Sequence, residues 1–403
     1  MRVLYIDGDG PFGGASRSLY EVVRALPKGS VDVYFVATQG TALNFYKQLA
    51  KDVVVVRGLT KIDNTRYSYY RGVRWLILLR ELFHLPFTFI ALARAKRRWK
   101  SVDLIHANEL AYLVPGLIAK WLFGAPLVFH LRSLMRRENR SFRQRWLTKV
   151  MRSASAVIAI DQNVRATVPM DLDIDVIHNS FTAKRVIATH DGIQKKLDSL
   201  RRTSLKVGFV GNLHRSKGLF ELLDAAKLVR DANGDVEFVI VGGTTRNDKG
   251  LRARILEYTG LAQNIEGDLR RRIEKERLED TFHMFGPTID IQSVYEGIDV
   301  LAFPSHLDAP GRPVFEAAFS GVPSIVAVEN PNSDTLVPGE TGLAIPVPDS
   351  NDLAQAILYF ANNREEVRRM GANAKKLAEQ NFNPESNART LLAVYSRIVG
   401  KAA

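Results

Sequence analysis

Short apolar runs that alternate with longer helical segments restrict the fold of this 403-residue chain more than any other feature of its sequence. In the first 180 residues the apolar runs are 3–6, 31–37, 53–57, 104–107, 127–131, 156–160 and 174–178. Runs of this length are typical of buried strands, and most of the segments between them are long enough for helices. The alternation therefore predicts a doubly wound α/β domain.

A second domain is expected, because 403 residues are too many for one compact core. Residues 181–204 are polar and weakly patterned, which favours an interdomain linker there. From residue 205 the sequence LKVGFVGNLHRSKGLF predicts a strand, a glycine turn, a basic loop and a helix from about Gly218. The runs VEFVIV from Val236 and FHMF from Phe282 continue the alternation, so the second domain is also predicted to be α/β.

Charge is distributed unequally between the two halves of the chain. Residues 1–190 hold 29 Lys and Arg against 14 Asp and Glu, or +15, whereas residues 191–403 hold 27 against 29, or −2. This asymmetry indicates an anionic partner for one domain only, with nucleic acid and a membrane surface as the candidates. The chain has no cysteine, which excludes disulfides and thiolate metal sites. Its first residues lack the apolar core of a signal peptide, so a cytoplasmic location is expected.

The most apolar segment of the chain, residues 75–95, carries Arg80, Glu81, His84 and Pro86, which make it a poor transmembrane span. Basic residues flank it on both sides: Arg66, Arg71 and Arg74 before it, and Arg94 at its end with Lys96, Arg97, Arg98 and Lys100 after it. This pattern suits a helix lying in a membrane interface, and equally a helical hairpin packed on the sheet. A second basic stretch, residues 132–149, adds six arginines and one lysine.

Residues 300–328 carry the strongest chemical signal. A strand, a loop at 304–312, a helix with Pro313 as its first residue and a second strand are predicted here. A helix N-terminus that follows a parallel strand offers free N–H groups to a phosphate. Glu316 lies in the apolar sequence VFEAAF, where an unpaired charge is costly, so hydrogen bonds to its carboxylate are expected. Asp308 and Glu316 can bracket a ligand; the alternatives are a solvated loop acid and an acid that compensates the helix dipole.

Two further loops have the composition of ligand-binding turns. Arg215 and Lys217 lie beside a predicted helix N-terminus, where two cations can neutralise a diphosphate; the alternative is a solvated basic loop. The glycine-rich loop DGDGPFGGAS includes Gly13 and Gly14, which allow a ligand to approach the backbone closely, although a tight strand-to-helix connection explains them equally. Asp7 and Asp9 in the same loop are interpreted as a turn rather than as a metal-binding pair.

His106 and His130 lie at the ends of two apolar strands, at the sheet edge where α/β proteins bind ligands. A hydrogen-bonded structural histidine is the alternative interpretation of each.

The pair Asp308 and Glu316 in DAPGRPVFE resembles the two acids, separated by seven residues, of the retaining nucleotide-sugar glycosyltransferases of family 4, also called glycosyl transferases group 1. The resemblance implies the GT-B fold, with two Rossmann-like α/β domains facing each other across a cleft. It implies that the second acid holds the ribose hydroxyls of the donor and that the first contacts the transferred sugar. Asp308 is one methylene shorter than the usual Glu.

The resemblance also assigns the diphosphate contacts. It places Lys217 on the donor diphosphate, while Asn212 occupies the position of the family's arginine, so that Arg215 is the candidate replacement. Gly13 and Gly14 match a glycine pair near the donor diphosphate and the acceptor. The strand near Phe285 and a glycine turn match the wall of the nucleotide base.

The family histidine that contacts the sugar matches either His130 or Arg132, and the sequence leaves both open. The last helix is expected to return to the first domain, which gives domains 1–182 with 385–403 on the acceptor side and 183–384 on the donor side. The assigned catalytic residues are Asp308, Lys217, Arg215 and His130. The assigned donor-binding residues are Gly13, Gly14, Gly211, Asn212, Arg215, Lys217, Gly242, Asp308, Ala309, Gly311, Val314 and Glu316. The acceptor-side residues are His106, His130 and Arg132.

The resemblance implies a retaining glycosyltransferase that takes a nucleotide-diphosphate sugar as donor and uses no metal or other cofactor. Its expected acceptor is a lipid-linked saccharide of bacterial cell-surface polysaccharide or lipopolysaccharide synthesis, reached from the cytoplasmic face of an anionic membrane. The alternatives are a GT-B nucleotide-sugar epimerase or hydrolase, and a non-enzymatic protein that binds membrane or nucleic acid. The base and sugar of the donor, the acceptor, the linkage and the oligomeric state stay open.

Overall fold

The computed structural model describes residues 1–63, 65, 75–136, 142–183, 192–243 and 264–402. The chain forms two compact units, Met1–Thr182 together with Phe382–Ala403, and Ala183–Asn381. The border after residue 182 is the one expected from the sequence, and the return to the first unit comes at Phe382, slightly before the expected 385.

The first unit is built on a parallel sheet with the strand order β3-β2-β1-β4-β5-β6-β7. Its strands are β1 Arg2–Asp7, β2 Asp32–Thr38, β3 Asp52–Val56, β4 Leu104–Ala107, β5 Leu127–Leu131, β6 Ala156–Ala159 and β7 Asp175–Val176. Its first helices are α1 Gly14–Arg24, α2 Thr41–Leu49, α3 Trp75–Trp99, α4 Leu113–Phe123, α5 Phe142–Ser153 and α6 Gln162–Arg165. The order runs outward from β1 in one direction and from β4 in the other, so the topological switch point lies between β1 and β4.

Alternate residues of each strand bury the two faces of this sheet. In β1, Leu4 and Ile6 contribute to a core shared with α3 and α4, whereas Val3 and Tyr5 belong to a core that includes residues of the C-terminal helix. That helix, called α14 below, spans Pro384–Ala402. The apolar strand patterns predicted from the sequence are thus confirmed, with ends that differ by at most two residues.

The second unit contains a parallel sheet with the order β10-β9-β8-β11-β12-β13. Its strands are β8 Leu205–Val210, β9 Val236–Val241, β10 Phe282–Gly286, β11 Val300–Phe303, β12 Ser324–Ala327 and β13 Gly342–Ile345. Its helices are α7 Ile193–Asp198, α8 Leu219–Asp231, α9 Ile265–Lys275, α10 Ile291–Glu296, α11 Arg312–Phe319, α12 Ser350–Asn362 and α13 Arg364–Asn381. The switch point of this sheet lies between β8 and β11, the two strands that the ligand-binding turns were predicted to follow.

Three sequence expectations need correction. Part of the predicted linker forms α7, because Ile193 and Leu197 are apolar at helical spacing and are buried in the second unit. Helix α11 begins at Arg312, so Pro313 is its second residue. The apolar segment is one continuous helix, α3, rather than a hairpin. Arg66, Arg71 and Arg74 of its predicted basic flank, Arg137 and Arg140 of the second basic stretch, and residues 184–191 of the linker lie outside the described residues.

Candidate active site

The turn after β8 presents a lysine at the switch point of the second unit. Val210 ends the strand, and a short 3-10 helix, Arg215–Lys217, leads to Gly218. Gly218 has a φ of +72°, and a Cβ there would overlap the carbonyl oxygen of Pro304 in the loop after β11. Glycine is therefore required where these two loops meet.

Lys217 is half-buried, and no carboxylate in the described part of the chain forms an ion pair with it. Its Nζ lies 5.3 Å from the centroid of the Phe303 ring. Burial lowers the pKa of Lys217 from its ordinary value. Arg215 lies in the same turn and is exposed, with its guanidinium 5.7 Å from the centroid of Phe220. Asn212, at the family's arginine position, is exposed. The positive charges of this turn therefore belong to Arg215 and Lys217.

The loop after β11 is bonded to the lysine turn. The N–H of His306 donates to the carbonyl of Ser216 at 3.0 Å, and the Ser305 hydroxyl donates to the same oxygen at 3.3 Å. His306 Nε2 also lies 2.9 Å from Glu221 Oε1 on α8, a contact that the sequence analysis missed. These bonds bring the segment that holds Asp308 alongside Lys217.

Asp308 adopts a left-handed φ of +49°. One of its carboxylate oxygens accepts the N–H of Glu329, just beyond β12, at 2.9 Å. Asp308 is thus a bonded, half-buried residue of the loop, which disfavours the solvated loop acid. Ala309 is half-buried in the same loop.

Helix α11 starts beside these residues. Its N-cap is Gly311, and no side chain in the described residues caps it. A Cβ on Gly311 would overlap the Phe303 ring, so packing requires glycine at this N-cap. The side chain of Val314 is buried in the core of the unit, which leaves only its backbone for ligand contact.

Glu316 is 4% exposed, and both of its carboxylate oxygens accept hydrogen bonds within the unit. Arg312 donates to its Oε1 through Nε at 2.9 Å and Nη2 at 2.8 Å, and Tyr295 donates its hydroxyl to Oε2 at 2.8 Å. The expectation that Glu316 forms hydrogen bonds is confirmed. Neither partner was predicted from the sequence, although a spacing of four residues, as between Arg312 and Glu316, is typical of side-chain pairs on a helix.

Gly211 and Gly242 directly follow the adjacent strands β8 and β9. A Cβ on Gly242, which has a φ of +152°, would overlap the Gly211 carbonyl oxygen. Close contact between the two strand ends therefore requires glycine at residue 242, and both residues lie at the same sheet edge as Lys217.

The glycine-rich loop of the first unit closes over a buried acid. Asp7 accepts the hydroxyl of Ser16 at 2.9 Å, the amide of Asn108 at 3.1 Å, the N–H of Asp9 at 3.0 Å, and the hydroxyl of Tyr46. Burial, and then the charge of Asp9, raises the pKa of Asp7. The bond between Asp7 and Asp9 confirms the turn interpretation. Among the described residues, no group of three or more His, Asp or Glu side chains is arranged to hold a metal ion.

Gly13 is the N-cap of α1, and Gly14 is the first residue of that helix. A Cβ on Gly13 would meet only the Pro11 carbonyl oxygen, at 4.0 Å. Packing within the unit therefore does not require glycine at residue 13, in contrast to Gly311.

The two histidines are internal to the first unit. His106 is fully buried; its Nδ1 lies 2.7 Å from the hydroxyl of Tyr395 on α14, and burial lowers its pKa to about 3. His130 is also buried, its ring centroid is 5.3 Å from that of His106, and burial lowers its pKa well below the usual value. The geometry of His106 favours the structural alternative, because its ring is tied to the C-terminal helix.

Arg132 is the half-buried residue of this group. It donates through Nε to Asn108 at 2.6 Å and through Nη1 to Asn179 at 2.9 Å, and its Nη2 lies 3.3 Å from His130 Nδ1. Of the two residues that match the family's sugar-contacting histidine, Arg132 is the more exposed.

Sequence comparison identifies the family. The sequence model described as Glycosyl transferases group 1 matches residues 193–377, and the one described as Glycosyltransferase Family 4 matches residues 12–185. The chain belongs to the group 1 glycosyltransferases.

Relatives and solved structures agree with this assignment. The lipopolysaccharide core biosynthesis mannosyltransferase LpsB of Rhizobium meliloti is 25% identical, over 73% of this chain and 79% of its own. The capsular polysaccharide biosynthesis glycosyltransferase CapM of Staphylococcus aureus is 22% identical, over 93% of this chain and 92% of its own. HepE of Anabaena in complex with UDP gives a TM-score of 0.75 at 21% identity, covering 98% of this chain and all of its own; its complex with UDP-glucose gives 0.73. The GT-B fold predicted from the resemblance is confirmed.

This glycosyltransferase has further polar residues at the switch point of its first unit, which the sequence analysis missed. Glu109 follows β4; its Oε1 accepts the N–H of Leu110 at 2.9 Å, and its Oε2 accepts the hydroxyl of Ser133 at 3.0 Å. Burial raises the pKa of Glu109 to about 7, against the opposing effect of these bonds. Asn108 and Glu109 directly after an apolar strand were a readable signal, because strand ends at a switch point hold ligands.

Lys61 connects the glycine-rich loop of the glycosyltransferase to α3. Its Nζ lies 2.6 Å from Asp9 Oδ1, while its backbone N–H donates to Glu81 Oε2 at 2.8 Å. Glu81 is buried on the inner side of α3. Although burial opposes it, the charges of Asp9 and Glu109 raise the pKa of Lys61, and the backbone of Arg132 donates a hydrogen bond to Glu109. Lys61 thus links α3 to a polar cluster formed by Asp9, Glu109 and Arg132.

Proposed function

We propose that this glycosyltransferase moves a sugar from a nucleotide-diphosphate sugar to a hydroxyl group of a lipid-linked saccharide, with retention at the anomeric carbon and with protein cations in place of a metal. The observation that carries the proposal is Lys217, a half-buried cation at a switch point that no carboxylate pairs with in the described part of the chain. A donor diphosphate supplies the missing negative charge. The complexes of HepE with UDP and UDP-glucose support a nucleotide sugar as donor.

The chemistry requires stabilisation of a departing diphosphate. As the bond from the anomeric carbon breaks, negative charge develops on the leaving phosphate, and groups fixed in advance stabilise it best. Lys217, Arg215 and the uncapped N-terminus of α11 are such groups. In this proposal Glu316 binds the ribose hydroxyls and Asp308 contacts the transferred sugar. The new bond forms between the acceptor oxygen and the anomeric carbon, and the proton of the acceptor hydroxyl passes to an oxygen of the departing diphosphate.

The acceptor is proposed to bind in the first unit, at the polar cluster of Asp9, Glu109 and Arg132. Carboxylates and a guanidinium together offer acceptors and donors for sugar hydroxyl groups. The biosynthetic roles in the names of LpsB and CapM support an acceptor of cell-surface polysaccharide or lipopolysaccharide synthesis.

Helix α3 supports a membrane location for this acceptor. Its length and composition are sufficient for crossing a membrane, and only 22% of its most apolar 18-residue stretch is buried. Its outward side chains include Leu79, Leu82 and Phe83, the last of which is 63% exposed; Trp121 of α4, 73% exposed, lies beside Phe89. Exposed apolar patches of this extent mark interaction surfaces. We infer that this face lies in the interface of an anionic membrane, with the basic C-terminal end of α3 near the lipid headgroups.

Thermal melting with a panel of nucleotide sugars tests the proposed function. A true donor binds the folded state and raises the melting temperature of the wild-type protein. The same donor is expected to give a much smaller shift in Lys217→Met. If every sugar leaves the melting temperature unchanged, the donor proposal is wrong. A donor that shifts the melting temperature but is converted to an epimer or to free sugar, with no transfer to lipid-linked acceptors, would favour the epimerase or hydrolase alternative.

A further inference from the structure

Arg312 is a residue to which neither the resemblance nor the sequence pattern gave a role. It is the first residue of α11, one turn before Glu316, so the two side chains lie on the same face of the helix. Arg312 Nε and Nη2 both donate to the same oxygen, Glu316 Oε1, at 2.9 and 2.8 Å. Tyr295, on α10, donates its hydroxyl to the other oxygen, Oε2, at 2.8 Å. Three donors from two helices thus fix the carboxylate in position and in plane.

Burial makes this arrangement costly as a purely structural device. The side chains of Arg312 and Glu316 are 12% and 5% exposed. Removing both charges from water offsets much of their mutual attraction, so well-packed apolar residues would stabilise the unit as well. The pair nevertheless lies at the N-terminus of α11, in the segment that also holds Asp308 and Gly311.

The carboxylate of Glu316 keeps one acceptor position for a ligand. An ionised carboxylate has about four lone-pair sites, two on each oxygen. Arg312 occupies the two sites of Oε1, and Tyr295 occupies one site of Oε2. The remaining site of Oε2 has a direction that the Arg312 fork sets, because the planar guanidinium holds the carboxylate against rotation.

We propose that Arg312 is a positioning residue, which orients Glu316 toward the ribose hydroxyls and thereby sets the preference of the enzyme for ribonucleotides. Without Arg312 the carboxylate turns, and its remaining acceptor site leaves the direction of the ribose. The inference rests on the proposed nucleotide-sugar function, because it requires that Glu316 contacts ribose.

Calorimetric titration of the full-length protein with UDP and with 2′,3′-dideoxyuridine diphosphate tests this role. A hydrogen bond to a charged acceptor contributes enough that the wild-type protein should bind UDP roughly 10-fold or more tighter than the dideoxy compound. Arg312→Met should reduce this ratio to about 2-fold or less while the dideoxy compound keeps its affinity. If the thermal panel selects another nucleotide, its diphosphate and dideoxy diphosphate replace these probes.

Two conservative variants and one control complete the design. Arg312→Lys keeps a cation against the buried carboxylate, which protects the fold, but has no planar fork; it should restore only part of the ratio. Tyr295→Phe removes one donor and should lower the ratio to an intermediate value. Arg369→Met removes the exposed ion pair with Glu366 on α13 of the same unit and should leave the ratio unchanged. Because a ratio of two affinities is compared within each variant, general loosening of the site cancels.

The outcomes separate the two proposals. If no nucleoside diphosphate binds the wild-type protein, the proposed function fails and this inference fails with it. If the wild-type protein binds UDP and the dideoxy compound equally, the ribose contact of Glu316 is wrong. If the wild-type protein discriminates and Arg312→Met and Arg312→Lys discriminate equally well, Arg312 has only a structural role and the inference is overturned.

Discussion

The Lys217→Met variant tests whether Lys217 binds the donor or only stabilises the fold. Methionine keeps the unbranched stem and removes the charge. The change loses the contact between Nζ and the Phe303 ring, which contributes about 0.5–1 kcal/mol, and it removes a half-buried charge that has no carboxylate partner in the described residues. These effects oppose each other, so the free energy of unfolding without ligand should change by less than about 1 kcal/mol. A structural lysine in an ion pair would cost more.

Nucleotide binding should respond much more strongly. A charge-assisted bond to phosphate contributes about 1.5–3 kcal/mol, which corresponds to a loss of about 10- to 150-fold in the affinity of Lys217→Met for UDP. Calorimetric titration measures this affinity, and chemical unfolding measures stability. Lys227→Met is the matched control, because its exposed Nζ lies 4.0 Å from both Asp231 and Glu276 on the same unit.

The pH dependence of the free energy of unfolding gives an independent test of the lysine's environment. Burial lowers the pKa of Lys217, so between that lowered pKa and about 10.4 the folded state binds fewer protons than the unfolded state. The wild-type protein should therefore gain stability relative to Lys217→Met as the pH rises through this window. Wild-type affinity of Lys217→Met for UDP would refute this role of Lys217, as would a loss of about 3 kcal/mol or more in its free energy of unfolding, the size expected for a broken buried pair.

Three further predictions concern the other sites. Glu316→Gln should fold but bind UDP about 10-fold or more weakly by calorimetry, because a neutral amide is the weaker acceptor; unchanged affinity would remove Glu316 from the site. Burial raises the pKa of Glu109 to about 7 in the folded protein, against about 4.3 in the unfolded chain. The free energy of unfolding of the wild-type protein should therefore fall by on the order of 3 kcal/mol as the pH rises through this range. Urea unfolding of Glu109→Gln at pH 5 and pH 8 should lack this loss, and a wild-type slope in the variant would contradict the assignment. The protein should sediment with anionic liposomes, and high salt should release only part of it. High salt should release more of the Phe83→Gln variant, because Phe83 lies on the exposed face of α3. Equal binding to neutral liposomes would contradict the electrostatic contribution, and complete release of the wild-type protein by salt would contradict insertion of α3.

The strand pattern and the candidate site on the second unit were predictable because they depend on short stretches of sequence. Short apolar runs ended by glycine fix strand ends closely, and the switch point gathers the turns that follow β8 and β11. The placement of Lys217 and Asp308 at one sheet edge was therefore predictable from chain order alone. The burial of Glu316 was predictable from its apolar neighbours.

The partners of the buried groups were not predictable in the same way. Tyr295 is separated from Glu316 by 21 residues, and Tyr395 from His106 by 289, and no local pattern reports which side chains meet across a core. The role of Lys61 depends on a backbone N–H toward α3 and a side chain toward Asp9, which only the folded loop reveals. The i, i+4 spacing of Arg312 and Glu316 is present in the sequence, but the apolar neighbours of Glu316 pointed to a ligand rather than to Arg312 as its partner.

A crystal structure of the protein with UDP tests the central claim most directly. We expect the diphosphate within hydrogen-bond distance of Lys217 Nζ and of the backbone N–H groups at the N-terminus of α11, with a ribose hydroxyl on Glu316 Oε2. Electron density for UDP elsewhere on the second unit, with Lys217 and Glu316 in their present contacts, would contradict it.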